Sequence, residues 1–183
     1  MAIISEFSFT DLLEMNFVNL DQLTETYTNS FYGEYLTHWP EYQRIARHPT
    51  TGTVMGYILG KVEGEGEDWH GHTSAVTVAP TFRRVGLAET LMSHLERISE
   101  EVHNAYFADL FVRESNRIAI QMYQSFGYNV YRKVIQYYHS GGPFTTNEDA
   151  LDMRKALRRD KQRSKSSVIP LTRPIRPEEL EWQ

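Results

Sequence analysis

The first residues with chemistry in view are two histidines one residue apart, in Trp69-His70-Gly71-His72. In an extended chain that spacing puts both imidazoles on one face, which a zinc ion can use. A metal needs a third ligand, however. The nearby acids are Glu65, Glu67 and Asp68, on a glycine-containing loop, and the chain has no cysteine. No metal site is expected, which leaves packing or hydrogen bonding for the two rings. A second segment, Pro80-Thr81-Phe82-Arg83-Arg84-Val85-Gly86-Leu87-Ala88, combines two cations with small residues before an amphipathic run. A helix beginning there offers unpaired N–H groups to an anion, and glycine lets a ligand approach the backbone. The same turn also reads as an ordinary tight connection with solvated arginines.

These residues need elements to hold them. Thr73 to Ala79 is β-branched and is predicted as a strand ended by Pro80. Gly86 to Glu101 is predicted as a helix with Leu87, Leu91, Leu95 and Ile98 on one stripe. Strands are expected at 3–9, 42–47, 53–61, 105–113 and 128–138. A helix over 116–126 is closed by Gly127. After the first strand a helix is expected, with Leu12, Leu13, Phe17 and Leu20 as its apolar face. Residues 20–42 read as a loop, a short helix and a stop at Pro40. Residues 147–159 are expected to form one more helix. The order is α/β: a mixed central sheet of six to seven strands, about four flanking helices, a C-terminal helix and an extended tail. The boundaries expected are a domain at 1–140, a helix at 141–160 and a basic tail with prolines at 161–183.

With 183 residues, 40% apolar and 13% aromatic, the chain has material for a core. The N-terminus lacks the basic segment of a signal peptide and no 18-residue apolar run exists, so a soluble, cytoplasmic protein is expected. The net charge of −5 is uneven. Residues 1–150 hold 10 basic and 19 acidic residues (−9), and residues 151–183 hold 9 and 5 (+4). A basic tail can touch RNA or an acidic surface, or simply be solvated. Its only aromatic is Trp182, which argues against stacking on single-stranded RNA.

Arg83-Arg84-Val85-Gly86-Leu87-Ala88 resembles the Arg/Gln-x-x-Gly-x-Gly/Ala signature of the GCN5-related N-acetyltransferase (GNAT) superfamily. Asn116 to Tyr128 is similar to the same superfamily's Asn-x-x-Ala-x-x-x-Tyr-x-x-x-Gly-Tyr/Phe segment. The likeness covers roughly residues 3–138. A narrower one, spanning nearly the whole chain, is to catalytic subunits of N-terminal acetyltransferase B complexes. It is carried by Leu23-Thr24-Glu25-Thr26-Tyr27, His38-Trp39-Pro40-Glu41-Tyr42, Trp69-His70-Gly71-His72, Asp109-Leu110-Phe111-Val112-Arg113, Tyr137-Tyr138 and Asp152-Met153-Arg154-Lys155-Ala156-Leu157.

The resemblance implies acetyl-CoA as cofactor. Val76 and Val78 would run beside its pantetheine. Arg83 and the amides of Arg84, Gly86, Leu87 and Ala88 would hold its pyrophosphate. Asn116 would sit near the pantetheine and Tyr123 near the sulfur. It implies transfer of acetyl to the α-amine of nascent chains beginning Met-Asp, Met-Glu, Met-Asn or Met-Gln. Glu25, Tyr123 and Tyr137 would be catalytic. Glu25, Tyr27, Phe111, Tyr137 and Tyr138 would hold the peptide, with His72, flanked by Gly71, Thr73 and Ser74, reading its second residue. For each aromatic, plain packing is the competing reading, and for Asn116 it is a helix N-cap alone. The implied partners are a large helical-repeat auxiliary subunit and, through it, the ribosome, with no membrane and no sequence-specific nucleic acid. Phe17, Leu20, Leu23 and the aromatics of Phe31 to Trp39 would dock the subunit or else belong to the core. Two alternatives remain: acetylation of lysine or small amines, and a non-catalytic CoA, peptide or RNA adaptor.

Overall fold

The computed structural model describes residues 2–20, 24–139, 147–163 and 169–180. Seven strands form one sheet: β1 (Ile3–Glu6), β2 (Arg44–Arg47), β3 (Val54–Glu63), β4 (His70–Val78), β5 (Phe107–Arg113), β6 (Asn129–Tyr138) and β7 (Glu148–Ala156). Their order across the sheet is β1-β2-β3-β4-β5-β7-β6. The four longer helices are α1 (Asn29–His38), α2 (Leu87–Glu101), α3 (Arg117–Ser125) and a nine-residue 3-10 helix, Phe9–Phe17; single 3-10 turns lie at Gly66–Asp68, Pro80–Phe82 and Pro177–Glu179. The expected α/β class, with seven strands and four helices, is what is found. No helix among the described residues is long and apolar enough to cross a membrane. The chain divides into two compact units, residues 1–61 with 73–98 and residues 62–72 with 99–183.

In the first unit, β1 pairs antiparallel with β2, and β2 with β3. The Gln43 carboxamide is fully buried. It accepts from the Gly60 N–H (3.0 Å) and donates to the carbonyls of Gly60 and Trp39, so it ties β3 to the end of α1. Thr28 caps α1 by accepting from the Phe31 N–H, and the helix stops just before Pro40. The stripe of Leu87, Leu91, Leu95 and Ile98 on α2 is buried, as its spacing requires. The first helix differs from expectation. It is a 3-10 helix that buries Met15, with Val18 just beyond, while Leu13 (81% exposed), Phe17 (73%) and Leu20 (73%) face outward. The tighter turn rotates the periodic positions away from the core.

In the second unit, β7 lies between β5 and β6 and pairs antiparallel with both. The expected C-terminal helix over 141–160 is therefore corrected: its described core is a strand. Ala, Leu, Met, Lys and Arg favour helices, but the position between two strands overrides that preference. Its charged residues mislead in the same direction. Asp152 and Arg154 are buried and paired, not solvated. Where it is described, the tail lies along β6 and then forms a short 3-10 turn at Pro177–Glu179. Ile175 forms a parallel bridge to Val134, its N–H donating to the Lys133 carbonyl (3.0 Å) and its carbonyl accepting from the Ile135 N–H (2.8 Å). Leu23, much of the basic linker and Trp182 lie outside the described residues.

Gly56 sets how closely β3 approaches β4. A Cβ there would stand 2.5 Å from the Thr77 carbonyl oxygen and 3.2 Å from the Val78 Cα. Both obstacles are backbone and cannot swing aside. Gly56→Ala is expected to cost about 1–3 kcal/mol, the usual range for overpacking, as measured by urea denaturation. Wild-type stability would show that the two strands part freely.

Candidate functional site

In the first unit, the turn from β4 to α2 is built from residues that resist regular structure. Arg84 has φ +65° and Gly86 φ +78°, so the backbone turns sharply and the amide directions change. A Cβ at Gly86 would meet nothing within 4 Å, so the space beside it is open. Arg83 donates from Nε to the Val78 carbonyl (3.0 Å), closing the turn. Arg84 and Val85 are exposed. An exposed, cationic, glycine-containing turn at the start of a 15-residue helix fits a diphosphate. Val76 and Val78 are half-buried at the end of β4.

Glu25 and Tyr27 precede α1 and are half-buried. Tyr27 stacks on Phe31 (4.1 Å between centroids), and its hydroxyl donates to the Ser74 carbonyl (2.9 Å). The Tyr35 hydroxyl meets Ser74 Oγ at 2.7 Å. Tyr27 is thus brought to β4, and Ser74 already has a hydroxyl partner. Thr73 points elsewhere. It is buried, with its hydroxyl on the Met92 sulfur. Tyr32 and Tyr35 are buried, and Phe31 and Trp39 pack on them, so this aromatic set belongs to the core. The part of the expected docking face that is exposed is Phe17 and Leu20.

In the second unit, Gly71 is buried, and His70 and His72 share a face of β4, His70 more deeply buried than His72. His70 is fully buried and stacks on Phe107 (4.7 Å, 2°). Its Nδ1 donates to the Asp68 carbonyl, and its Nε2 faces Asp109 Oδ2 (3.5 Å) and Glu63 Oε1 (3.6 Å). His72 donates from Nδ1 to Asp109 Oδ1 (2.7 Å) and keeps 11% of its side chain exposed. Asp109, on β5, is fully buried. Burial opposes its charge, but His70, His72 and Arg154 outweigh burial and hold it down to about 2. For His70, burial also opposes charge, and the carboxylates of Asp109 and Glu63 overcome it and push the imidazole up.

Asp109 is the residue that sequence reasoning missed. Its signal was a lone acid in an apolar strand, Phe-Ala-Asp-Leu-Phe-Val. The acid beside the two histidines is Glu63 on β3, rather than Glu65, Glu67 or Asp68. Glu63, His70 and His72 each offer a ligand atom within 4.8 Å of one another. A cation there would have to displace the Nδ1 proton that Asp109 holds.

The substrate residues expected on β5 and β6 come together around Phe111. His72 lies 5.7 Å from the Phe111 ring, and Tyr137 stacks on that ring at 4.6 Å. Tyr138 meets Tyr137 edge-on at 5.1 Å and donates its hydroxyl to the Phe111 carbonyl (3.0 Å). Neighbouring strand residues should face opposite ways. A bulge resolves this: the β6–β7 register shifts between Val134 and Tyr138, Gln136 has φ +55°, and its N–H donates to the Asp149 carboxylate.

On α3, Asn116 caps the helix by accepting from the Ala119 N–H (3.1 Å). Tyr123 is buried and packs edge-on to Tyr128. Burial pushes its hydroxyl well above the ordinary phenol range, so it keeps its proton.

A profile of the acetyltransferase (GNAT) family matches residues 10–128. A Leishmania donovani protein described as an N-terminal acetyltransferase complex ARD1 subunit homolog is 70% identical over 175 residues, 94% of each chain. The N-terminal acetyltransferase B complex catalytic subunit NAA20 of Arabidopsis thaliana is 57% identical over 182 residues, 100% of this chain and 99% of its own. The crystal structure of Chaetomium thermophilum Naa20 in complex with a bisubstrate analogue matches with a TM-score of 0.88 at 38% identity, covering 96% of this chain and 97% of the other.

His70 and Asp109 tie stability to pH. A raised His70 stabilises the fold fully below the ordinary imidazole value of about 6.5, and that contribution fades as pH climbs through its folded value. Asp109, lowered to about 2, contributes above the ordinary carboxylate range and is lost only in strong acid. Urea midpoints are expected to fall from pH 6 to pH 9. His70→Phe, which keeps a ring on Phe107, should flatten that slope; an equal slope in both proteins would contradict the assignment.

Proposed function

The chain belongs to the acetyltransferase (GNAT) family, and from its likeness to the Arabidopsis and Chaetomium proteins we infer that it is the catalytic subunit of an N-terminal acetyltransferase of the B type. It moves acetyl from acetyl-CoA to the α-amine of nascent chains beginning Met-Asp, Met-Glu, Met-Asn or Met-Gln. The Leishmania and Arabidopsis relatives carry different subunit names, so the substrate preference rests on the site. One observation carries it: a polar ring, His72, beside the stacked pair Phe111 and Tyr137. An apolar slot for Met next to a hydrogen-bonding group for the second residue suits those N-termini.

Acetyl-CoA supplies the thioester. The turn Arg83 to Ala88 would hold its pyrophosphate, and Val76 and Val78 would serve its pantetheine; for Asn116, on the second unit, a role toward the pantetheine is proposed separately. On the first unit, Glu25 would accept from the α-amine and Tyr27 would steady the peptide; on the second, Tyr137 and Tyr138 would bind peptide backbone. An α-amine has a pKa near ~8, so it yields its proton cheaply, and a water relay suffices. Rate then comes mainly from holding the amine against the thioester. With no cysteine in the chain, an acetyl-cysteine intermediate has no nucleophile. A tyrosine whose hydroxyl is raised by burial is a poor acid toward a thiolate but a good hydrogen-bond donor. In this reading Tyr123 would donate a hydrogen bond to the departing sulfur and keep its own proton. Phe17 and Leu20 offer an exposed apolar face to a helical-repeat auxiliary subunit that brings the enzyme to cytoplasmic ribosomes.

Two measurements test this. Peptides beginning Met-Asp, Met-Ala and Ser-Glu, each also with a blocked α-amine and a lysine, should give activity only on free Met-Asp. Acetylation of the blocked peptide would replace the reading with lysine acetylation. Tyr123→Phe should lower kcat by about 10- to 100-fold, the scale of losing one stabilising donor, with little change in peptide KM. An unchanged kcat would leave Tyr123 a packing residue.

A further inference from the structure

We propose that Tyr35 and Ser74 are positioning residues for peptide binding: their hydroxyls form an anchor that holds the segment carrying Glu25 and Tyr27 against β4, in place to receive the peptide. The inference rests on the reading that Glu25 and Tyr27 hold the peptide. It starts from a column of rings in the first unit. Tyr27, Phe31, Tyr35 and Trp39 recur every four residues, so from Phe31 onward they share one face of α1. Tyr27 stacks on Phe31 at 4.1 Å and 10°, Phe31 on Tyr35 at 4.3 Å and 26°, and Trp39 closes the column edge-on at 5.4 Å. Tyr27 precedes the Thr28 cap and also meets Tyr32 edge-on at 6.1 Å, the staple contact that fixes the angle at which a chain enters a helix. Glu25 lies two residues before Tyr27, so its placement follows that of the column.

Stacking sets the separation of the rings but not where the column stands along the sheet, because apolar contact is non-directional. Two hydrogen bonds supply that. The Tyr27 hydroxyl donates to the Ser74 carbonyl (2.9 Å), and the Tyr35 hydroxyl meets Ser74 Oγ (2.7 Å). Two hydroxyls from successive turns of the column's far ends thus arrive at one residue of β4. Phe31, between them, has no hydroxyl and packs as closely, so the column does not need these groups in order to stack. Tyr35 is buried, whereas Tyr27 and Ser74 are half-buried. The inner bond therefore backs the outer one. With its carbonyl and its Oγ both engaged, Ser74 serves as an anchor for the segment and not as a reader of the peptide. A segment already fixed when the peptide arrives does not have to be ordered by it, which lowers the cost of binding.

Tyr35→Phe keeps every ring and removes one hydroxyl. In the full-length enzyme it should raise KM for a Met-Asp peptide about 3- to 10-fold, the scale of one neutral hydrogen bond, because less of the enzyme is ready to receive the peptide. The kcat at saturating peptide and the KM for acetyl-CoA should stay at wild-type values, a split that a general loss of packing would not produce. Ser74→Ala should match it, and the double variant should be no worse than either single, since all three lack the same bond. Ser74→Thr keeps the hydroxyl and should keep the wild-type KM. A wild-type peptide KM in Tyr35→Phe, or single effects that multiply in the double variant, would overturn the inference. If Tyr35→Phe does not fold, equal peptide KM values for Ser74→Ala and Ser74→Thr would overturn it instead. Glu25→Ala separates the two levels. A raised peptide KM there with none in Tyr35→Phe overturns the anchor alone; an unchanged KM overturns the reading of the segment as a peptide holder, and the anchor with it.

Discussion

A single buried carboxylate constrains much of the second unit. Asp109 has no access to water, and a charge so placed must be compensated from several sides. His72 supplies a hydrogen bond, His70 a nearby ring and Arg154 a cross-strand cation. Each of those partners is committed in turn. Arg154 also binds Asp152, which binds Arg132, and the Arg154 guanidinium lies 3.6 Å from the centroid of the Tyr131 ring. The result is a connected line of charges across β5, β7 and β6. Removing one member would strand the others, which costs more than the pair itself contributes. The two-residue spacing of the histidines follows from the same demand, because only alternate residues of β4 can share one face.

The aromatic wall depends on a different kind of constraint. Tyr137 and Tyr138 can both lie near Phe111 only because β6 breaks its pleat at Gln136. A non-glycine residue with positive φ is unfavourable, and the Asp149 carboxylate that accepts from its N–H offsets that cost. Tyr138 spends its hydroxyl on the Phe111 carbonyl, so it fixes the strand that carries Phe111. Val134, Ala150 and Ile175 pack beneath the wall from three separate segments. Rigid rings with few rotamers are held at little further entropic cost.

Much of this was legible in the sequence, and the failures share one cause. The α2 stripe, the Asn116 cap, the Gly127 stop and the Arg83–Ala88 turn are local signals, and local geometry realises them. Strand β7 was read as a helix because its composition is helical and its burial is decided by strands far away in the chain. Leu13, Phe17 and Leu20 look like a core face by spacing, and the 3-10 geometry turns them outward. Asp109 could be noticed as an acid in an apolar run, but its partners on β4 and β7 are set by the sheet alone. Thr73 and Ser74 were grouped with His72 by adjacency, whereas strand alternation separates Thr73 from it.

The tail's bridge to Val134 has a consequence for solubility. β6 is the last strand of the sheet, and an open last strand offers unpaired N–H and C=O groups to any passing chain. Ile175 occupies those groups at Lys133 and Ile135, and Leu171 donates to Tyr131 further along. The prolines at 170, 174 and 177 lack the N–H groups needed to recruit another strand. The tail therefore acts as a hem: it finishes the sheet with a segment that cannot itself be extended, and keeps one copy of the protein from growing onto the next.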